Sequence, residues 1–475
     1  MVILEKCKQI SNKSLIKFTI VVTFLLLTIL VSHYHEPWSD EAQAFLLARD
    51  SSFRDLFTTY SHYEGSPVLW HFILKIAISL GLSYELLPMV SIFFSTLGVY
   101  LLVYRTNLPW YLKLTLPFTY YIFYQYTIVA RSYCLILPLL CLISIFYRKR
   151  MEKPFCYIVL LFLLANVSAH MALVSGGLFL LFCYDVLKAF LHHNATSKKQ
   201  ILFPIIAILL AGIGYLLLLF SILPSADNSF VPTQIPITFS RITKLIAEAI
   251  ATNGQNEIIN LFISVIFFIV LFITNQKEKG HLKQWLLLYL PLLCFLIFAY
   301  ANYWHIGILF LIMIFLTTFY ETKPRILYLF LLFAAIIQIG WTIQTCHYDI
   351  TSPYSGAKEA ANFIKEHHYD KKNIYGLEYD PTALQPYFSK NIYQNFKKDY
   401  GFYLWSKNAA QKTLTQIEQD LPDAFVLPRR YYSTYLKKTS MENYIDQYDF
   451  HSFKGGIYIK NKIVEDQSFI ILTKK

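Results

Sequence analysis

Apolar runs, each long enough or nearly long enough to cross a bilayer core, recur from residue 15 to about residue 346. No other feature restricts the fold as much. A chain in lipid must satisfy its backbone polar groups internally, which for runs of this length means helices. The composition agrees: of 475 residues, 56% are hydrophobic and 17% aromatic, with a mean hydropathy of +0.43. A soluble protein lacks the polar residues to cover so much apolar surface. The chain therefore reads as an α-helical multi-pass membrane protein over 1–346, followed by a small soluble α/β domain over 347–475.

The runs fall at 15–32, 67–82, 85–104, two or three within 108–147, then 154–169, 171–190, 201–223, 257–274, 283–300, 303–319 and 326–345. That predicts twelve or thirteen crossings. The formal charge is +12, and much of it lies in short connecting loops. These are the N-terminus (Lys6, Lys8, Lys13, Lys17), 147–153, the loop with Lys188, Lys198 and Lys199, 275–283 and 321–325. Such a distribution follows the positive-inside rule, and no RNA- or DNA-binding motif accompanies it, so nucleic acid is not an expected partner. With those loops inside, thirteen crossings place loop 33–66, loop 224–256 and the C-terminal domain outside. The N-terminus reads as an uncleaved signal anchor in a bacterial cytoplasmic membrane. The N-A-T sequon at Asn194 then lies on an inward loop and reads as chance. The seven cysteines are scattered, with no CxxC, and suggest packing rather than disulfides or zinc.

The stretch 33–70, HYHEPWSDEAQAFLLARDSSFRDLFTTYSHYEGSPVLW, follows the first run directly. It is too polar for lipid and too aromatic for an ordinary hydrated loop. Ser39-Asp40-Glu41 opens a helical pattern, so one reading is structural: Ser39 caps the helix and two acids complement its dipole. The other is catalytic. A carboxylate at the water–lipid boundary is placed to take the proton of an acceptor hydroxyl, a role that asks first for geometry and then for pKa.

This arrangement resembles the GT-C superfamily of polytopic glycosyltransferases, which use polyprenyl-phosphate-linked sugars and include the protein O-mannosyltransferases and lipid A aminoarabinose transferases. The resemblance rests on a first span, an external loop with an acidic pair (SDEAQAF), and a short E-x-x-P pattern before the next run (EGSPVLW). It implies inverting transfer of a hexosyl or pentosyl group to a lipid, glycan or protein acceptor. Asp40 would be the general base and Glu41 a supporting residue. Trp38, His62 and Glu64 would be candidates for acceptor or sugar contact. The resemblance leaves open a divalent cation, Mg or Mn, with Asp40, Glu41 and Glu64 as available carboxylates. This chain departs from the family in having Ser66-Pro67 where members commonly have His-Pro.

A departing phosphate gathers negative charge and needs cations or donors. Arg131, His170 and His305, each near the external end of a run, are the candidates for donor-phosphate binding, because ionisable residues at span edges are functional suspects. The alternatives are that Arg131 snorkels to headgroups and that each histidine is a satisfied packing residue. From 347 onward, SGAKEAANFIKEHH reads as a helix with Ser355 as N-cap, and NIYGLEY, DAFVLP, GGIYIK and QSFIILTK read as strands. Three rivals differ in what they predict. A transporter or flippase for a lipid-linked saccharide predicts two similar halves, which the sequence does not display. A membrane scaffold makes the acidic pair replaceable. An oligosaccharide polymerase or ligase predicts a large late loop, and 224–256 is modest.

Overall fold

The computed structural model describes residues 2–191, 199–230, 236–277, 281–320, 322–396, 400–407, 421–434 and 445–475. Asn194, Lys198 and part of the 224–256 loop, including Pro232, fall outside these residues. The chain begins with α1 (Val2–Ser32) and turns through 33–38 into α2 (Ser39–Asp50). Short helical turns over 53–64 lead to α3 (Leu69–Ser79) and α4 (Leu87–Arg105). Residues 110–128 form one irregular rod, a helical segment Trp110–Thr115, a 3-10 turn Leu116–Phe118 and a π-helix Tyr120–Ile128. Then come α5 (Ile136–Tyr147), α6 (Pro154–Ala165), α7 (Ala169–Leu191) and α8 (Lys199–Ile222). The amphipathic α9 (Phe239–Ile250), α10 (Glu257–Lys277), α11 (Leu290–Phe298), α12 (Tyr303–Thr317) and α13 (Arg325–Thr351) complete the helical part.

Among the described residues, six helices are long and apolar enough to cross a membrane: Ser14–Ser32, Tyr84–Arg105, Ala169–Leu191, Ile201–Ile222, Glu257–Gln276 and Arg325–Thr351. Contacts between their ends define two poles of the bundle. At one pole Lys17 lies over the Tyr104 ring, Arg150 pairs with Asp185, Lys283 lies over Tyr184, and the Trp285 indole N–H donates to Tyr320. The described residues of the basic loops 147–153, 281–283 and 322–325 gather there. At the other pole lie loop 33–66, Arg131, residues 166–170 and 223–230, α9, and the described part of the C-terminal domain.

The expected span at 67–82 does not traverse the bundle. α3 has 11 residues, about 16 Å at 1.5 Å per residue, against a hydrocarbon core of about 30 Å. Both its ends stay at the second pole: Lys75 donates to the Ala48 carbonyl at 3.2 Å, and Tyr84 packs on Phe45 and Tyr387 with centroids at 5.1 and 5.2 Å. The stretch 108–147 makes two passes, the irregular rod and then 132–147. Among the described residues, Ser132–Tyr147, Pro154–Ala165, Leu282–Phe298 and Tyr303–Thr317 are further apolar helices, each shorter than the six long ones. Loop 33–66 and the described part of the C-terminal domain lie at the same pole.

The C-terminal domain pairs α14 (Ala357–Glu366) with a four-stranded mixed sheet. Its strands are β1 (Ile374–Gly376), β2 (Ala424–Pro428), β3 (Tyr448–Phe453) and, beyond a hairpin of β4 (Gly456–Ile459) and β5 (Lys462–Asp466), β6 (Phe469–Lys474). The order is β1-β2-β6-β3; β1 and β2 are parallel and the other pairs antiparallel. All four strands read from sequence are present; β3 and β5, partly polar, are additional. At the N-terminus of α14, Ser355 Oγ accepts from Ala357 N at 3.3 Å, while Gly356 holds the N-cap position.

The hairpin tip anchors the domain. Lys460 and Asn461, at φ +48° and +68°, make the tight turn, and the buried Lys460 ammonium donates to Tyr121 Oη at 2.8 Å and to the Glu248 carbonyl at 2.5 Å. Its ring neighbours are Trp341 and Tyr121, at 4.7 and 5.1 Å. One continuous apolar core runs from Phe24 and Leu309 in the bundle to Ala360, Ile374 and Ile457 in the domain.

Candidate functional site

Successive helical residues point about 100° apart, whereas residues three apart share a face. α2 therefore sends Asp40 and Gln43 one way and Glu41 another. Asp40 and Gln43 line a cavity of about 410 Å³ at the second pole. Asp40 Oδ1 accepts from the Tyr379 hydroxyl at 2.9 Å, and Oδ2 is ion-paired with Arg131. Arg131 is delivered by the π-helical segment Tyr120–Ile128, which ends just before it. π-Helical turns are rare and concentrate at functional sites. The wide turn also brings Tyr121 against Gly307, where an added Cβ would sit 2.0 Å from the tyrosine ring.

Glu64 enters the same cavity from the loop side. It is the last residue of a short helix that Gly65 stops by adopting φ +61°. Its Oε1 accepts from Gln43 Nε2 at 2.7 Å. Burial raises its carboxyl to about 7, with Asp40 adding to the rise while Gln43 and Arg131 oppose it. His170 at the start of α7 and His305 at the start of α12 meet with ring centroids 4.3 Å apart. His170 Nε2 faces the Tyr300 carbonyl at 3.3 Å, and His305 Nδ1 accepts from Asn302 N at 3.0 Å. The accepting Nδ1 assigns the proton of a neutral His305 ring to Nε2.

The C-terminal domain supplies the outer wall. The strap 400–407 places Trp405 in the cavity wall, its ring tilted against Tyr379 and edge-on to Phe230 with centroids 4.9 and 5.5 Å away. Gly401 N donates to Asp50, Ser406 to Asp227, and Ser229 N to the Trp405 carbonyl, at 2.8, 2.8 and 3.0 Å. Tyr300, Trp304, Tyr133 and Phe295 add further aromatic wall, and Ile222 and Val167 apolar wall.

Five residues singled out from sequence, Asp40, Glu64, Arg131, His170 and His305, are thus brought together. Three are not. Glu41 faces the opposite side of α2: its Oε1 accepts from Ala130 N at 2.6 Å, and its Oε2 accepts from Trp38 N at 3.2 Å and faces His35 Nε2 at 3.2 Å. His35 Nδ1 is 3.1 Å from Asp349 Oδ2, which also accepts from Tyr124 at 2.9 Å. Burial lowers the affinity of His35 for a proton, but Asp349 and Glu41 together raise its pKa to about 10. Glu41 is therefore a structural acid that fixes the backbone beside Arg131. Trp38 is buried beneath the cavity against Trp304, centroids 5.2 Å apart. His62 lies outside the lining, its Nδ1 2.6 Å from the Leu223 carbonyl. Ser39 is no cap either: α2 starts with it, and its hydroxyl donates to the Asp380 carbonyl at 3.4 Å.

Since Glu41 turns away, Asp40, Glu41 and Glu64 do not form a joint ligand set, and among the described residues no group of three or more His, Cys, Asp or Glu is arranged to hold an ion. Sequence reasoning missed Gln43, Tyr379 and Trp405. Gln43 was accessible as the i+3 partner of Asp40. Trp405 sits in GFYLW, an aromatic run in an otherwise polar tail. Tyr379 carries no such signal. Compared with known proteins, the chain matches no family model and none of the curated proteins.

Proposed function

We propose that this protein is a GT-C-type glycosyltransferase, which moves a sugar from a polyprenyl-phosphate-linked donor to a lipid, glycan or protein acceptor with inversion. In this reading the cavity pole faces away from the cytoplasm, because the basic loops gather at the other pole. The acceptor hydroxyl loses its proton to a cavity carboxylate, its oxygen attacks the anomeric carbon, and polyprenyl phosphate departs with the bonding electrons. Arg131 lies where charge on the departing phosphate would be stabilised. The paired histidines provide a polar N–H in an otherwise aromatic wall, and Trp405 and its neighbours provide flat faces for a sugar.

The observation that carries this reading is convergence. Asp40, Glu64, Arg131, His170 and His305 come from separate stretches of chain and line one cavity at the end of an apolar bundle. The test is glycan and lipid profiling of cells carrying wild type, Asp40→Asn or empty vector at equal membrane levels. Wild type should add or extend a sugar that the other two do not. A wild-type profile indistinguishable from empty vector would remove the enzyme reading, and an Asp40→Asn profile like wild type would remove Asp40 from its chemistry.

A further inference from the structure

Two carboxylates face the cavity, and they are not equivalent. Both Asp40 oxygens are engaged, Oδ1 by the Tyr379 hydroxyl and Oδ2 by Arg131. Neither Asp40 oxygen is thus left unengaged to meet an acceptor hydroxyl. Glu64 has one oxygen held, Oε1 by Gln43, while its Oε2 has no hydrogen-bond partner among the described residues and the side chain lines the cavity.

Gln43 is itself fixed at both ends of its amide. Nε2 donates to the Tyr403 carbonyl at 2.8 Å, and Oε1 accepts from Tyr403 N at 2.9 Å. This two-point clamp rules out the flipped amide, which would set two donors and two acceptors against each other. The second Nε2 hydrogen then has one destination, Glu64 Oε1. The strap of the C-terminal domain thereby sets the direction in which Glu64 points. The charged and titratable groups that face Glu64 are Asp40 on α2, Arg131 after the π-helix, Tyr379 in the C-terminal domain and His71 on α3.

We propose that Glu64, rather than Asp40, is the catalytic base that receives the acceptor proton, with Gln43 as a positioning residue held by the Tyr403 backbone. This rests on the glycosyl-transfer reading. The O–H bond of the acceptor breaks and its proton goes to Glu64 Oε2. The oxygen bonds to the anomeric carbon while the bond from that carbon to phosphate oxygen breaks, and the phosphate keeps the electron pair. The proton returns to water when the products leave. Asp40 keeps Arg131 in place beside the phosphate. A carboxyl that titrates at about 7 suits this role, since a general base works best near the operating pH.

The test uses the full chain in isolated membranes, supplied with their own polyprenyl-phosphate sugars, and measures sugar incorporation between about pH 5.5 and 8.5. The wild-type rate should rise with pH and reach half its plateau near 7, as Glu64 ionises. Glu64→Gln should lose roughly 100-fold or more and show no rise. Glu64→Asp should keep a rise at reduced rate. Gln43→Ala removes a hydrogen bond that favours the carboxylate, so its rise should move to higher pH. An infrared difference between wild type and Glu64→Gln should contain a protonated carboxyl band that titrates over the same range, a readout that does not depend on turnover. Glu64→Gln with the wild-type rate and pH profile would overturn the assignment while leaving glycosyl transfer intact. An absent band would also overturn it. Wild-type membranes that transfer no sugar would overturn the glycosyl-transfer reading and this assignment with it.

Discussion

α2 separates two ionic clusters that share one helix and differ in everything else. On its cavity side, Asp40 and Arg131 are partly exposed, at 22% and 23%, and open to whatever enters. On its other side, His35, Glu41 and Asp349 have side chains at 0% exposure and are closed off. Adjacent acids in the chain thus serve opposite ends: Asp40 faces a site where charge is available for chemistry, and Glu41 faces a lock that joins the first loop to the last transmembrane-type helix. Burial without an opening makes a lock, and burial with an opening makes a site.

Substitutions on the two sides of α2 should separate these roles. The largest effect expected is on the closed side. His35→Ala leaves two buried carboxylates without their cation and should cost about 3–5 kcal/mol, read by thermal unfolding in detergent. The sign with pH follows from the raised pKa. The folded form holds the His35 proton to about pH 10 and the unfolded form to about 6.5, so this stabilisation is complete below 6.5 and declines between 6.5 and 10. Unchanged stability in His35→Ala would mean that the lock carries no weight.

Next comes the open side. Arg131→Ala should reduce sugar transfer about 10²–10³-fold while lowering the unfolding temperature less than His35→Ala does. The reverse ranking would erase the distinction between the clusters. Trp405→Ala removes a stacking face from the outer wall. It should raise the apparent KM for the sugar-bearing substrate about 3–10-fold with little change in unfolding, a magnitude typical of aromatic contacts. The smallest change expected is at His62, outside the cavity. His62→Ala should leave transfer within about twofold of wild type, as for a surface substitution. A larger loss would extend the site to His62 itself.

The helical part was largely legible because a membrane-type run announces itself over about 20 residues whatever its surroundings. The error at 67–82 shows the limit. PVLWHFILK has the hydropathy of a span, but its partners Ala48 and Phe53 hold it at one pole, and those contacts lie outside the run. The stretch 108–147 left two or three passes open for a different reason, since Pro109 and Pro117 interrupt the pattern that a continuous helix would display. In the site, Asp40 and Arg131 could be singled out because charge beside apolar runs is conspicuous. The split between Asp40 and Glu41 needed only helical geometry applied to neighbours. Tyr379 could not be found without the fold, because its value lies in reaching a carboxylate 339 positions earlier.

The reach of that hydrogen bond bears on how the protein is made. During synthesis the first loop emerges long before its partners, so Asp40, Gln43 and the His35 lock wait unmatched while the intervening passes are inserted. Asp349 arrives with the last pass, and Tyr379, Tyr403 and Trp405 arrive only with the domain behind it. A chain released early from the ribosome would therefore hold the helices and the acids but no enclosed cavity, and the cavity would gain its outer wall only once the final domain had docked.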